Sequence, residues 1–426
     1  MKKVLSLVLA VMMLLGCLAI FASCGETTGS GSNETKAPSQ ETTGKSEETT
    51  AADPNKYENV KVGFIFLHDD KSTYDLNFMN GVAEMKANLG LSDDQVIMID
   101  SIEEGKPCYD AAADLVDQGC NVVFADSFGH EEWMIKAAKE FPDVQFCHAT
   151  GVKAHTEKLD NYHNAFASIY EGRYLAGVAA GMKLNEMIAD KKITPEQAVI
   201  GYVGAFPYAE VISGYTSFFL GARSVCESAT MMVDFSGSWF DVDEERNIAN
   251  ALIGKGCVLI SQHADSMGAP SACELAGVPD VSYNGSTVAE CPNTFIISSR
   301  INWAPYFEYM VNCVAEGKAI AADWTGTLAT GSVVLSEIND KAAAAGTAEA
   351  IENAKKQLVD GTLHVFDTSK FTVDGQAVTS YKADVDDMGD FVGETEVIAD
   401  GYFHESEYRS APYFDMNIDG ITRLDK

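Results

Sequence analysis

The chain has 426 residues, more than one hydrophobic core usually serves, so two lobes or domains are expected. Its 46% hydrophobic and 10% aromatic content can fill such cores and excludes an intrinsically disordered protein. Lys and Arg number 30 against 63 Asp and Glu, and the net charge of −33 excludes a sequence-independent grip on nucleic acid, which depends on neutralising phosphates.

At the N-terminus Lys2 and Lys3 precede an apolar stretch, Val4 to Ala22, and small residues then stand directly before a cysteine in Phe21-Ala22-Ser23-Cys24. The pattern resembles a bacterial lipoprotein signal spanning residues 1–24, with Cys24 as the lipidated residue and Cys17 as a second candidate. A plain transmembrane anchor is the alternative, because the run is long enough to span a bilayer. Residues 25–57 are read as a disordered tether: from Gly25 to Pro54 there is no aromatic residue and too little apolar surface to offset ordering entropy. These features place the protein on the extracytoplasmic face of a cell membrane, held by lipid.

Beyond the tether, short apolar runs alternate with longer amphipathic ones. Strands are predicted at about 60–67, 95–99, 121–125 and 144–148, with helices at 75–89, 108–118 and 130–140 between them. A long helix from about 167 to 190 leads to a second series. Strands at 198–204, 230–235, 257–261 and 279–283 are separated by helices at 208–224, 241–254 and 266–276. Near-continuous apolar strands between amphipathic helices mean parallel sheets covered on both faces. The two series share a phrase, GCNVVFADS at 119–127 and GCVLISQHADS at 256–266, which marks the same strand in two similarly built lobes.

The fold class expected is therefore α/β, two Rossmann-like lobes around a central cleft with several hinge crossovers. The N-terminal lobe takes 58–190, with 297–325 returning to it, and the C-terminal lobe takes 191–296 with part of 326–426. Ligands of open α/β sheets bind outside the carboxyl ends of the strands, where both Asp-Ser pairs fall. Ser127 and Ser266 could equally cap the helices that follow.

No nucleotide-binding, P-loop, nucleophile-elbow or HExxH pattern is present, so no cofactor, metal or catalytic residue is assigned and the chain is read as a non-enzyme. Eight further cysteines show no metal spacing and are read mostly as buried thiols, although Cys273 and Cys291 could pair. The strand-end loops instead carry aromatic and hydrogen-bonding groups, suited to gripping the faces and edges of a flat ring. Glu171 either pairs with Arg173 or faces the cleft. Trp303 and Tyr306 either pack a helix or wall the ligand.

The segments VVFADSFGHEEW, IYEGRYLAGVAAG, IGYVGAFPYAEVISGYTSFFLGARSV, GSWFDVDEE and INWAPYF together resemble the basic membrane protein (BMP) family of ABC-transporter substrate-binding lipoproteins. The likeness runs from about residue 59 to the mid-320s. It implies the type I periplasmic-binding-protein fold, a purine nucleoside or nucleobase as ligand, and an ABC permease with a separate ATPase as partner, with the receptor itself a monomer. By the same resemblance Tyr74 and Phe206 face each other across the base, and Phe128 and Trp239 line the cleft. Asp265 and Asn284 bond ribose hydroxyls or the base edge, and Asp70, Ser127, Gln262 and His263 complete the candidate set. DDKSTYD stands where D-K-S-F-N is usual, which separates this first loop from the purine-nucleoside pattern. A receptor for a sugar or other small polar metabolite is the alternative, and an α/β hydrolase or transferase a more distant one.

Overall fold

The computed structural model describes residues 55–386 and 392–425. The expected signal, Cys24 and the tether up to Pro54 lie outside the described residues. Among those described, no helix is long and apolar enough to cross a membrane.

The first series comprises β1 (Val62–Ile65), α1 (Thr73–Leu89), β2 (Val96–Ile99), α2 (Lys106–Asp117), β3 (Val122–Ala125), α3 (Glu131–Glu140), β4 (Gln145–His148), the one-turn α4 (Ala154–Glu157) and β5 (Tyr162–Ala167). The second comprises α5 (Ile169–Ala189), β6 (Val199–Gly204), α6 (Ala209–Val225), β7 (Thr230–Phe235), α7 (Val242–Gly254), β8 (Leu259–Gln262), α8 (Gly268–Ala276), β9 (Asp280–Tyr283) and β10 (Phe295–Ile301). Then come α9 (Ala304–Glu316), β11 (Asp323–Gly326), β12 (Val333–Leu335) and α10 (Thr347–Val359). The tail holds short strands β13 (Thr372–Val373), β14 (Gln376–Ala377), β15 (Lys382–Ala383), β16 (Thr395–Glu396), β17 (Ile398–Ala399), β18 (Tyr402–Phe403) and β19 (Ile421–Arg423).

One sheet runs β2-β1-β3-β4-β5-β11, parallel throughout. The other runs β19-β7-β6-β8-β9-β10-β12, parallel except for β12 against β10. Without β19 the two orders are the same, so β3 and β8 occupy equivalent central places. The shared phrase has a backbone cause as well. Gly119 and Gly256 take φ of 89° and 99° just after α2 and α7, where the left-handed turn that ends a helix suits glycine. The cysteine after each is buried, and β1 and β3 are buried along their whole length.

The predicted strands and helices of both series form, with ends shifted by a residue or two. β5 was not anticipated, because buried His163 and Asn164 interrupt its apolar run. His163 Nε2 lies 2.8 Å from Gln145 Oε1, and Asn164 Oδ1 accepts the Ala154 N–H at 2.7 Å. Two expected lobe boundaries also move. α5 packs on α6 and on β10 and β12 rather than on the first sheet, and β10 lies wholly in the second sheet. The chain thus crosses between sheets near residue 168, near 302 and between β11 and β12. The crossings lie side by side, Ser168 N–H donating to Gly326 O at 2.8 Å and Asn302 N–H to Ser332 O at 2.7 Å.

All eight described cysteines are buried free thiols, Cys273 and Cys291 included. Trp303 and Tyr306 are core residues, about 1% and 0% exposed, in a cluster with Phe78, Phe124 and Phe307. Glu171 neither pairs with Arg173 nor reaches the cleft. Its carboxylate accepts the Leu328 N–H at 2.9 Å, and burial raises its pKa to about 7.

Candidate functional site

The carboxyl ends of strands from both sheets meet around a small cavity of about 20 Å³, room for little more than a water molecule, so the two lobes stand nearly closed on it. The first sheet contributes Leu67, His68, Tyr74, Ser127, Phe128 and Thr150, and the second contributes Glu210, Trp239, His263, Asp265 and Tyr283.

Tyr74 is placed by the start of α1. Ser72 caps that helix, accepting the Asp75 N–H at 3.2 Å while its hydroxyl donates to Asp75 Oδ2 at 2.5 Å. The Tyr74 hydroxyl then donates to the Asp126 carbonyl at 2.8 Å, and its ring meets Phe78 edge-on at 4.8 Å. Beneath it two buried carboxylates fasten the end of β1: Asp75 accepts His68 N–H at 2.8 Å, and Asp126 accepts Leu67 N–H at 3.1 Å. Burial, and then the neighbouring Asp75, push the Asp126 carboxyl well above its usual pKa.

Across the cleft, Trp239 is held edge-on against Phe206 at 5.1 Å, and Phe206 stacks on Tyr208 at 5.1 Å. Tyr208 in turn approaches Phe128 of the first lobe at 5.4 Å. The lobes also touch through Asp265, whose carbonyl accepts both the N–H and the hydroxyl of Thr73 at 3.1 Å. Asp265 Oδ1 accepts from Asn284 Nδ2 at 3.2 Å. Burial first, and then the Asp75, Glu245 and Glu210 carboxylates, raise the Asp265 pKa well above the ordinary value.

Of the ten candidate residues, Tyr74, Ser127, Phe128, Trp239, His263 and Asp265 line the cavity. Phe206 backs Trp239 and Asn284 backs Asp265, one layer out. Two candidates are turned away. Asp70 is exposed, because the capped start of α1 makes Asp75 the inward carboxylate of that loop. Gln262 spends its amide on its own loop, donating to the Ala264 and Ser266 carbonyls at 2.7 and 3.2 Å. Neither serine is the N-cap of the α-helix that follows it: that of α8 is Met267, with Ser266 accepting Gly268 N–H at 3.0 Å from one residue earlier, and the Ser127 hydroxyl donates to Glu104 at 2.7 Å.

Sequence reading passed over Leu67, His68, Thr150, Glu210 and Tyr283 as site residues. His68 and Tyr283 stand at or just past strand ends and could have been chosen on position. Glu210 looked like an ordinary acid in the first turn of α6. The one trio of side chains close enough to share a cation among the described residues is Asp384, Asp386 and Glu394, which lies in the tail away from the cavity.

Comparison with known proteins agrees with this architecture. The Bmp family, described as ABC transporter substrate-binding protein PnrA-like, matches residues 62–363. Over 261 residues the chain is 31% identical to a purine-binding protein of Brucella abortus, covering 61% of this chain and 70% of that one. Over 217 residues it is 36% identical to a Haloferax volcanii protein named for ABC transport and glucose binding, covering 51% of this chain and 52% of that one. A solute-binding protein from Aeropyrum pernix superposes with a TM-score of 0.60 at 15% identity, covering 72% of this chain and 93% of the other. One from Conexibacter woesei gives 0.58 at 18%, covering 72% and 98%. At such identities these two show the fold alone, the two-lobed α/β architecture expected from sequence. The family works outside the cytoplasm, and its members deliver small molecules to a permease rather than transform them. The chain belongs to the Bmp family, the PnrA-like substrate-binding proteins of ABC transporters.

Proposed function

We propose that this chain is a lipid-anchored receptor, tethered through Cys24, that captures a purine nucleoside or nucleobase between its lobes and delivers it to an ABC permease. One observation carries the reading: the cavity is walled by aromatic rings from both lobes, Tyr74 and Phe128 on one side and Trp239 and Tyr283 on the other, with carboxyl groups of Asp265 and Glu210 beside them. Two aromatic faces suit a flat heteroaromatic ring, and carboxyl and imidazole groups suit its polar edges. The identity to a purine-binding protein points the same way.

Capture works by closure. Each lobe supplies half the aromatic wall, so only the closed form presents both faces, and a ligand that needs both shifts the population toward it. The Thr73–Asp265 hydrogen bonds serve as a latch on that form. The three adjacent crossings serve as the hinge, and the closed form is the one the permease reads.

The glucose-binding name of the archaeal relative favours a second reading, a sugar ligand. Melting the purified protein against nucleosides, free purines and simple sugars separates the two. A ligand at 100 times its dissociation constant adds about 2.7 kcal/mol to folding stability. Stabilisation by a purine or its nucleoside supports the first reading, stabilisation by sugars alone supports the second, and co-purifying absorbance near 260 nm belongs only to the first.

A further inference from the structure

The polar wall of the cavity has a hydrogen-bond direction built into it. Arg173 carries only donors, so its bond to the Tyr202 hydroxyl, at 2.9 Å, makes that oxygen the acceptor. The hydroxyl keeps its own hydrogen to give, and His263 Nδ1 lies 3.4 Å away. If Nδ1 accepts, the hydrogen of a neutral imidazole sits on Nε2. Burial does lower the His263 pKa, keeping the ring neutral near pH 7. Nε2 makes no short hydrogen bond, in a residue only 2% exposed that lines the cavity. Glu210 Oε1, from the first turn of α6, stands 3.5 Å from it and lines the same cavity.

We infer that His263 and Glu210 form a donor–acceptor pair that reads one polar edge of the ligand, Nε2–H donating to a ligand acceptor while the Glu210 carboxylate accepts from a neighbouring N–H or O–H. At 3.5 Å the His263–Glu210 pairing is long, and a ligand that offers an acceptor to Nε2–H and a donor to the carboxylate gives each a shorter partner. The chemical identity of that edge rests on the purine reading, in which it is a ring nitrogen or carbonyl beside an amino or imino group. Arg173, Tyr202 and His263 then act as a relay that sets the polarity of this edge, and of these residues and Glu210 only His263 and Glu210 reach the ligand.

The test compares inosine, adenosine and purine riboside by calorimetry on the wild type, Glu210→Met, His263→Phe and His263→Gln. Inosine and adenosine each offer an acceptor and a donor on that edge, and purine riboside offers the acceptor alone. The wild type is expected to bind inosine or adenosine about ten-fold tighter than purine riboside. Glu210→Met should erase that preference by weakening the better nucleoside only. His263→Phe should weaken all three about ten-fold, and His263→Gln, which keeps a donor, should recover part of the loss. Glu210→Met lowering all three alike, or none, overturns the pair while leaving the purine reading intact. A wild type that ignores all three but binds glucose overturns the purine reading, and the pair then stands only if Glu210→Met and His263→Phe each weaken glucose about ten-fold. A wild type that binds neither class overturns both.

Discussion

Arg173 reaches the carboxyl end of the second sheet from α5 and spreads its hydrogen bonds over neutral oxygens of four strands. These are Tyr202 of β6, Ser261 and Gln262 of β8 at 3.1 and 3.2 Å, Ser282 of β9 at 3.4 Å and Ser299 of β10 at 3.5 Å. It also lies over the Tyr283 ring, 4.9 Å from its centre. A lysine keeps the charge but loses the planar fork, so Arg173→Lys should cost about 2–3 kcal/mol in a denaturant titration. Tyr74→Phe removes the 2.8 Å bond to Asp126 but keeps the ring, and should lower stability by about 1 kcal/mol. Tyr74→Ala should in addition weaken ligand binding by about 1–3 kcal/mol if the ring stacks on a base, and calorimetry reads both. Titration belongs to this scale too. Burial raises Glu405 from 4.5 to about 8 and Glu245 from 4.5 to about 7. A raised carboxyl binds its proton more tightly when folded, so the stability these two contribute is full below about pH 4.5 and is lost as pH rises through 7 to 8. Glu405→Gln should therefore lessen the loss of stability between pH 5 and pH 8, a slope that the buried His130, His148 and His163, lowered to about 4, oppose, and melting at the two pH values reads it. The aromatic half of the cavity was legible because large rings at strand ends have no core to enter. The acidic half was legible only at Asp265: Asp70, Asp75 and Glu210 are alike as letters, and only the cap at Ser72 and the seating of α6 turn two of them inward.

Helices α5 and α6 approach so closely that side chains cannot separate them. A Cβ on Gly177 would overlap the Phe218 carbonyl, and one on Gly221 would overlap the Tyr174 carbonyl. Gly221→Ala should thus force the helices apart and cost about 1–3 kcal/mol by thermal or chemical melting, although alanine favours helix in isolation. Gly254→Ala, at an exposed helical position with nothing within 4 Å of the added methyl, should show no such cost. This contact is also why α5 belongs with the second sheet. From sequence it followed the first series directly, and nothing in its composition says which sheet it covers. β5 escaped notice for a related reason: an apolar run is the usual sign of a buried strand, and His163 and Asn164 are buried by partners rather than by hydrophobicity.

The tail beyond the family match binds the whole molecule together. β19 extends the second sheet beside β7, while Ser410 donates through its N–H and hydroxyl to Asp323 of β11 in the first, at 2.9 and 2.7 Å. Between them Glu405 accepts the Tyr413 and Phe414 N–H groups at 2.6 and 2.9 Å, and Phe414 stacks on Phe366 at 4.3 Å. Phe414 is fully buried, so Phe414→Ala should cost about 3–5 kcal/mol and lower the melting temperature by several degrees. A change under 1 kcal/mol would mean the tail is only loosely attached.

What the sequence determined by itself was the plan: two matched α/β series, their strands and helices, the family, and the rings that gather at the strand ends. The series and their elements follow from local periodicity, from glycines that need a left-handed turn, and from runs of apolar residues that can only be buried, whereas the family rests on the resemblance of particular segments. Tertiary structure alone decided which sheet α5 and β10 join, which carboxylates face the cavity, and which oxygens Arg173 holds. These depend on partners far apart in the chain, as with Arg173, Tyr202 and His263, and no local pattern encodes a hydrogen bond whose two ends are brought together only by the fold.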